Sequence, residues 1–150
     1  MKTAFVNKLE SNQIKAVPVQ LNLTQKSIEK INHCKANNIF HGVFPTVGDS
    51  MTCEDKTKSI PHGSKVLAID AQIDLKKGLH NLWHLIPTNK PLLISGTAPS
   101  GNKFFVCKSI SHIDAVQGYV VLESYNKNHT SKFIPFSCIE SIFEILQIVE

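Results

Sequence analysis

From residue 41 onward, short apolar runs alternate with Gly, Pro, Asn and Asp, and none of the runs is long enough for an ordinary helix. The pattern predicts strands over residues 43–47, 65–70, 91–95, 103–110, 118–124 and 132–136. Thr97-Ala98-Pro99-Ser100-Gly101-Asn102 has the chemistry of a turn between two of them. Upstream, Val17-Pro18-Val19 favours extended backbone, and Thr24 is placed to cap a helix over 25–35 with Ile28 and Ile31 as its apolar stripe. The last segment is ambiguous. Ile139, Ile142, Phe143 and Leu146 follow helical spacing, whereas the β-branched content of 145–149 favours a strand. The expected fold is mainly β, with a basic N-terminal arm and one short helix in 1–40 and a compact domain in 41–150.

At 150 residues the chain has room for one core and a short appendage. Hydrophobic residues at 42% against 19% charged give a globular balance. All sixteen basic residues are Lys, and the net charge of +4 lies within residues 1–40, since the remainder carries ten Lys against ten acids. Lys lacks the bidentate fork with which Arg reads guanine, so sequence-specific DNA reading by this chain alone is not expected. No apolar run approaches the roughly 20 residues of a membrane span, and Met1 is not followed by a signal-type apolar core. Cys34, Cys53, Cys107 and Cys138 are widely spaced and read as reduced thiols, which suits a cytoplasmic protein. His80 and His84 stand four apart but have no Glu, Asp or Cys beside them, so no metal or cofactor is expected. Trp83 is expected in core or rim packing.

Two places carry chemistry. In Val47-Gly48-Asp49-Ser50-Met51 a glycine precedes a serine after a strand-like run, the setting for a turn that exposes a hydroxyl. In Phe104-Phe105-Val106-Cys107-Lys108-Ser109-Ile110, a period of two puts Lys108 on one face with Phe104, Val106 and Ile110. Lysine is rare in such company unless its charge is paired or suppressed. A neutral lysine is a general base for a serine hydroxyl. Bringing an amine from its ordinary value of about 10.4 to near 7 takes roughly 4.6 kcal/mol, which apolar burial can supply.

These residues resemble the Ser–Lys peptidase domain of LexA, UmuD and phage repressors, in the LexA and signal-peptidase superfamily. The likeness begins at Gly48-Asp49-Ser50-Met51 and continues at Ile60-Pro61-His62-Gly63-Ser64-Lys65-Val66-Leu67. It runs on through Val106-Cys107-Lys108-Ser109-Ile110 to Leu122-Glu123-Ser124-Tyr125-Asn126 and the apolar tail. The resemblance implies a compact β fold whose tail is a strand. It implies Ser50 as nucleophile, Lys108 as general base and the backbone N–H groups of Asp49 and Ser50 as oxyanion hole, with Gly48, Met51 and Gly63 as supporting positions. It also implies a homodimer whose substrate is a peptide segment of its own or a partner's chain. Family members act in stress-response or phage-type transcriptional regulation, some triggered by a RecA-type filament, some joined to a DNA-binding partner.

The sequence departs from the family in three ways. Ser64 stands where an acid is usual, and the interval from Ser50 to Lys108 is long. No Ala-Gly or Cys-Gly bond is present for self-cleavage, although Ala16-Val17 puts a small residue before a bond. A non-cleaving dimerisation or binding module of the same fold is therefore the alternative expectation.

Overall fold

The structure is a computed structural model and describes residues 23–48, 50–55 and 59–149. Helix α1, Gln25–Ala36, starts where Thr24 caps it: the Thr24 hydroxyl accepts the Ser27 N–H at 3.1 Å. Its inward stripe is Ser27, Ile31 and Cys34, at i, i+4 and i+7, rather than the Ile28–Ile31 pair, and Ile28 is left exposed. Ile31 packs on Val43 and Leu67, which ties the helix to the sheet.

Seven strands form one antiparallel sheet: β1 His41–Pro45, β2 Lys65–Asp70, β3 Pro91–Thr97, β4 Lys103–Asp114, β5 Tyr119–Glu123, β6 Lys132–Pro135 and β7 Ile139–Ile148. The mainly β expectation holds, and each predicted strand appears within a few residues of its expected ends. The order is β1-β2-β7-β3-β4-β5-β6, so the last strand sits in the interior between β2 and β3. That position explains the helical look of the tail. Ile142 faces one core and Phe143 the other, so β7 is buried on both faces and shows no clean alternation.

The two cores lie on opposite faces, as adjacent residues of β3 show. Leu92 and Ile94 join Ile110, Val120, Leu122 and Ile142 on one side. Leu93 joins Phe44, Met51, Val66 and Phe143 on the other. The first core is covered by a 3₁₀ turn, Leu75–Lys77, and a one-turn helix α2, Leu79–Leu82, neither of which the pattern predicts. Both are too short to show a period, and the glycine between them, Gly78 at φ +85°, breaks the segment further. Trp83 ends α2 and is 54% exposed, so it is not a core residue. Gly96 marks a bulge where β3 meets β7; a Cβ there would collide with the Cys138 carbonyl and stand 2.7 Å from the Phe104 ring.

Candidate functional site

The site arises from unequal strand lengths. β3 pairs with β4 from Lys103 to Ser109, but β5 pairs with β4 only from Ser109 to Asp114. Beside residues 103–108, where β5 does not reach, lies a cavity of about 640 Å³. Phe104, Phe105, Val106, Cys107 and Lys108 line it on one side, and Pro45, Thr46, Val47, Gly48 and Ser50 on the other. A volume of this size and a mostly apolar lining suit a bound ligand or peptide segment.

Ser50 reaches the cavity on an excursion between β1 and β2. Its base is closed by Thr46 N–H to the Ser64 carbonyl at 2.8 Å and Gly63 N–H to the Thr46 carbonyl at 3.0 Å. Farther out, Ile60 N–H donates to the Met51 carbonyl at 2.9 Å. Met51 is 2% exposed in the second core and anchors the loop, which leaves its neighbour Ser50 half-buried at the cavity wall. Gly48 holds φ +89° and Gly63 φ +82°, the left-handed region that glycine enters without strain. A Cβ at either position would meet nothing, so backbone conformation rather than crowding is the constraint there. Asp49, expected to supply an oxyanion N–H, lies outside the described residues.

Lys108 stands opposite Leu92 on β4 and is half-buried, with Ile110, Phe104 and Val106 in the first core on its face, as the period of two predicted. One step beyond the last pair of β4 and β5, Ser109 with Glu123, the register sets Lys108 across from Ser124. Its Nζ donates to the Ser124 Oγ at 2.7 Å. Ser124 is 8% exposed. Two residues on, the Asn126 N–H donates to the carbonyl of Ser50 at 2.8 Å. One short segment, Ser124-Tyr125-Asn126, thus holds the lysine by a side chain and the serine by its backbone.

The medium around this segment penalises charge. Burial pushes the Cys107 thiol up to about 12, against a smaller downward pull from Lys108. Burial also raises the Tyr125 phenol, and the thiols of Cys107 and Cys53 add to that rise.

The structure brings Gly48, Ser50 and Lys108 to one cavity and places Met51 and Gly63 as supports of the Ser50 loop. Ser124 and Asn126 lie within the Leu122–Asn126 motif, and no local signal gives either a role. Only the register of β4 against β5 reveals one. His80 and His84 are both exposed, and α2 ends at Leu82, so they do not share a helix face. Among the described residues no group of three or more His, Cys, Asp or Glu is placed to hold a metal ion. The four cysteines are free. No helix among the described residues is long and apolar enough to cross a membrane. Set against models of protein families, curated proteins and solved structures, the chain matches none.

Proposed function

We propose that this chain is a serine hydrolase of peptide bonds that uses Ser50 and Lys108, as the resemblance to LexA-type domains implies. The observation that carries the reading is the Lys108 amine, fixed by Ser124 in the same cavity that Ser50 lines. A neutral lysine that gives one N–H to Ser124 keeps its lone pair for a hydroxyl at the cavity wall.

The substrate is an extended segment laid along residues 103–108, a stretch of roughly 17 Å at about 3.4 Å per residue, enough for five residues. Ser50 Oγ bonds to the substrate carbonyl carbon while Lys108 takes the hydroxyl proton. The resulting oxyanion is held by backbone N–H groups, which the resemblance assigns to Asp49 and Ser50. Lys108 then passes the proton to the leaving nitrogen as the C–N bond breaks. Water attacks the acyl-serine in the same way and regenerates the hydroxyl. The same reading extends to a cytoplasmic homodimer that cleaves its own or a partner's arm in a stress-response or phage-type switch, triggered by a RecA-type filament or a DNA-binding partner.

A second reading is favoured by the missing Ala-Gly or Cys-Gly bond: the cavity binds an extended segment without cutting it. Labelling with a fluorophosphonate decides between the two. The hydrolase reading expects mass added at Ser50, faster at higher pH as Lys108 loses its proton, and none in Lys108→Ala. Unlabelled wild-type protein that still binds peptides in the cavity would establish the binding module instead. Light scattering checks the dimer, which a monomer at all concentrations would exclude.

A further inference from the structure

Two residues before Ser50, the Gly48 N–H donates to Nδ1 of His62 across the loop at 2.7 Å. A backbone N–H can only donate, so Nδ1 must offer its lone pair and the neutral ring carries its proton on Nε2. A protonated imidazole has N–H at both nitrogens and cannot accept this bond. Each end of the contact is set by a positive-φ glycine, Gly48 itself and Gly63 next to His62. Between Gly48 and the reacting hydroxyl stands only Asp49.

We propose that His62 is a positioning residue for Ser50: its neutral imidazole latches the Gly48 turn, and protonation releases the turn. The effect on activity rests on the Ser–Lys reading above. The latch itself does not. The His62 ring is exposed. The titratable groups that share the cavity with Gly48 are Lys103, Cys107, Lys108, His129 and Glu140. Lys103 and Glu140 pair with each other at 3.5 Å. Protonation of the ring removes the acceptor and opens the latch.

Nuclear magnetic resonance on the full chain carrying Ser50→Ala tests the hydrogen bond without catalysis. The Gly48 amide proton is expected to shift with the same midpoint as the His62 ring protons. That shift should vanish in His62→Asn, whose amide oxygen accepts near the Nδ1 position without titrating. The functional readout is the rate of fluorophosphonate labelling, in which the Ser50 oxygen bonds to phosphorus, fluoride leaves and Lys108 takes the proton. The ratio of wild-type to His62→Asn rates should fall between pH 7.5 and 5.5, which cancels the dependence due to Lys108. At pH 7.5, His62→Ala should be slower by roughly two- to ten-fold, the worth of one ordinary hydrogen bond. His129→Asn should keep the acid step. A Gly48 amide that ignores the His62 titration, or a His62→Ala protein with the wild-type profile, overturns the latch. A Gly48 amide that follows His62 in a protein whose wild-type form is never labelled supports the latch and counts against the hydrolase reading.

Discussion

The two halves of β4 differ in their neighbours more than in their residues. From Ser109 to Asp114 the strand is flanked by β5, and Ser109 and Ile110 are buried. From residue 103 to 108 it is paired with β3 alone on one side and borders the cavity on the other, and no residue of this half is fully buried. Both halves read as apolar strand. The comparison teaches that a site can be made by stopping a neighbouring strand, with Lys108 and Ser124 placed at the step where the pairing ends.

Substitutions in the two halves should therefore separate chemistry from stability. The largest effect is expected for Lys108→Ala in the open half and for Ser50→Ala across the cavity from it. Each should slow fluorophosphonate labelling at least about a thousand-fold, since a dyad acts as a unit. A midpoint of urea unfolding close to wild type would show that chemistry alone was lost. Retained labelling in Lys108→Ala would remove the lysine from the mechanism.

Next comes the paired half. Ile110→Ala deletes a side chain that is 0% exposed and should cost roughly 2–5 kcal/mol in urea unfolding. Val106→Ala, four residues away beside the cavity, should cost about 1 kcal/mol or less. Equal losses at the two sites would erase the distinction between the halves.

Ser124→Ala is the sharper test of the junction. It removes the hydroxyl that holds Lys108 and should lower the labelling rate roughly ten-fold, with a stability change near 1 kcal/mol. Ser124→Thr, which keeps an oxygen in place, should restore most of the rate. If Ser124→Ala were as inert as Ser50→Ala, the assignment of nucleophile would have to be reopened.

The smallest effect near neutral pH concerns Cys107. Burial raises its thiol in the folded chain from 9.0 to about 12, so the folded state holds that proton more tightly than the unfolded state. The stabilisation is complete below the unfolded value and is lost as pH rises from about 9 toward about 12. Thermal melting in Cys107→Ala should fall less steeply than wild type across that window. Parallel alkaline profiles would place the thiol in contact with solvent.

Much of the sheet was legible because its outer strands obey local rules. Gly-, Pro- and Asn-rich turns bound short apolar runs, and residues 65–70 were delimited to the residue. Thr24 announced α1, yet the inward stripe was misread because Ser27 and Cys34 are small and carry little apolar signal. The 3₁₀ turn and α2 were missed because a single turn has no period. Of the candidate site, Gly48, Ser50 and Lys108 were legible as residue types, and Lys108 also by the face it shares with Phe104, Val106 and Ile110. Ser124, Asn126 and His62 were not assigned, since each acts through a partner at least 14 residues away in sequence.

By itself, then, the chain determined the local features: where strands start and stop, which helix is capped, and which hydroxyl and amine are available for chemistry. Local steric and solvation preferences suffice for those. Only the tertiary structure decided that β7 inserts between β2 and β3, that β5 ends where the cavity begins, and that Ser124 meets Lys108. Those depend on register between distant strands, and register is set by burying both faces of the sheet at once.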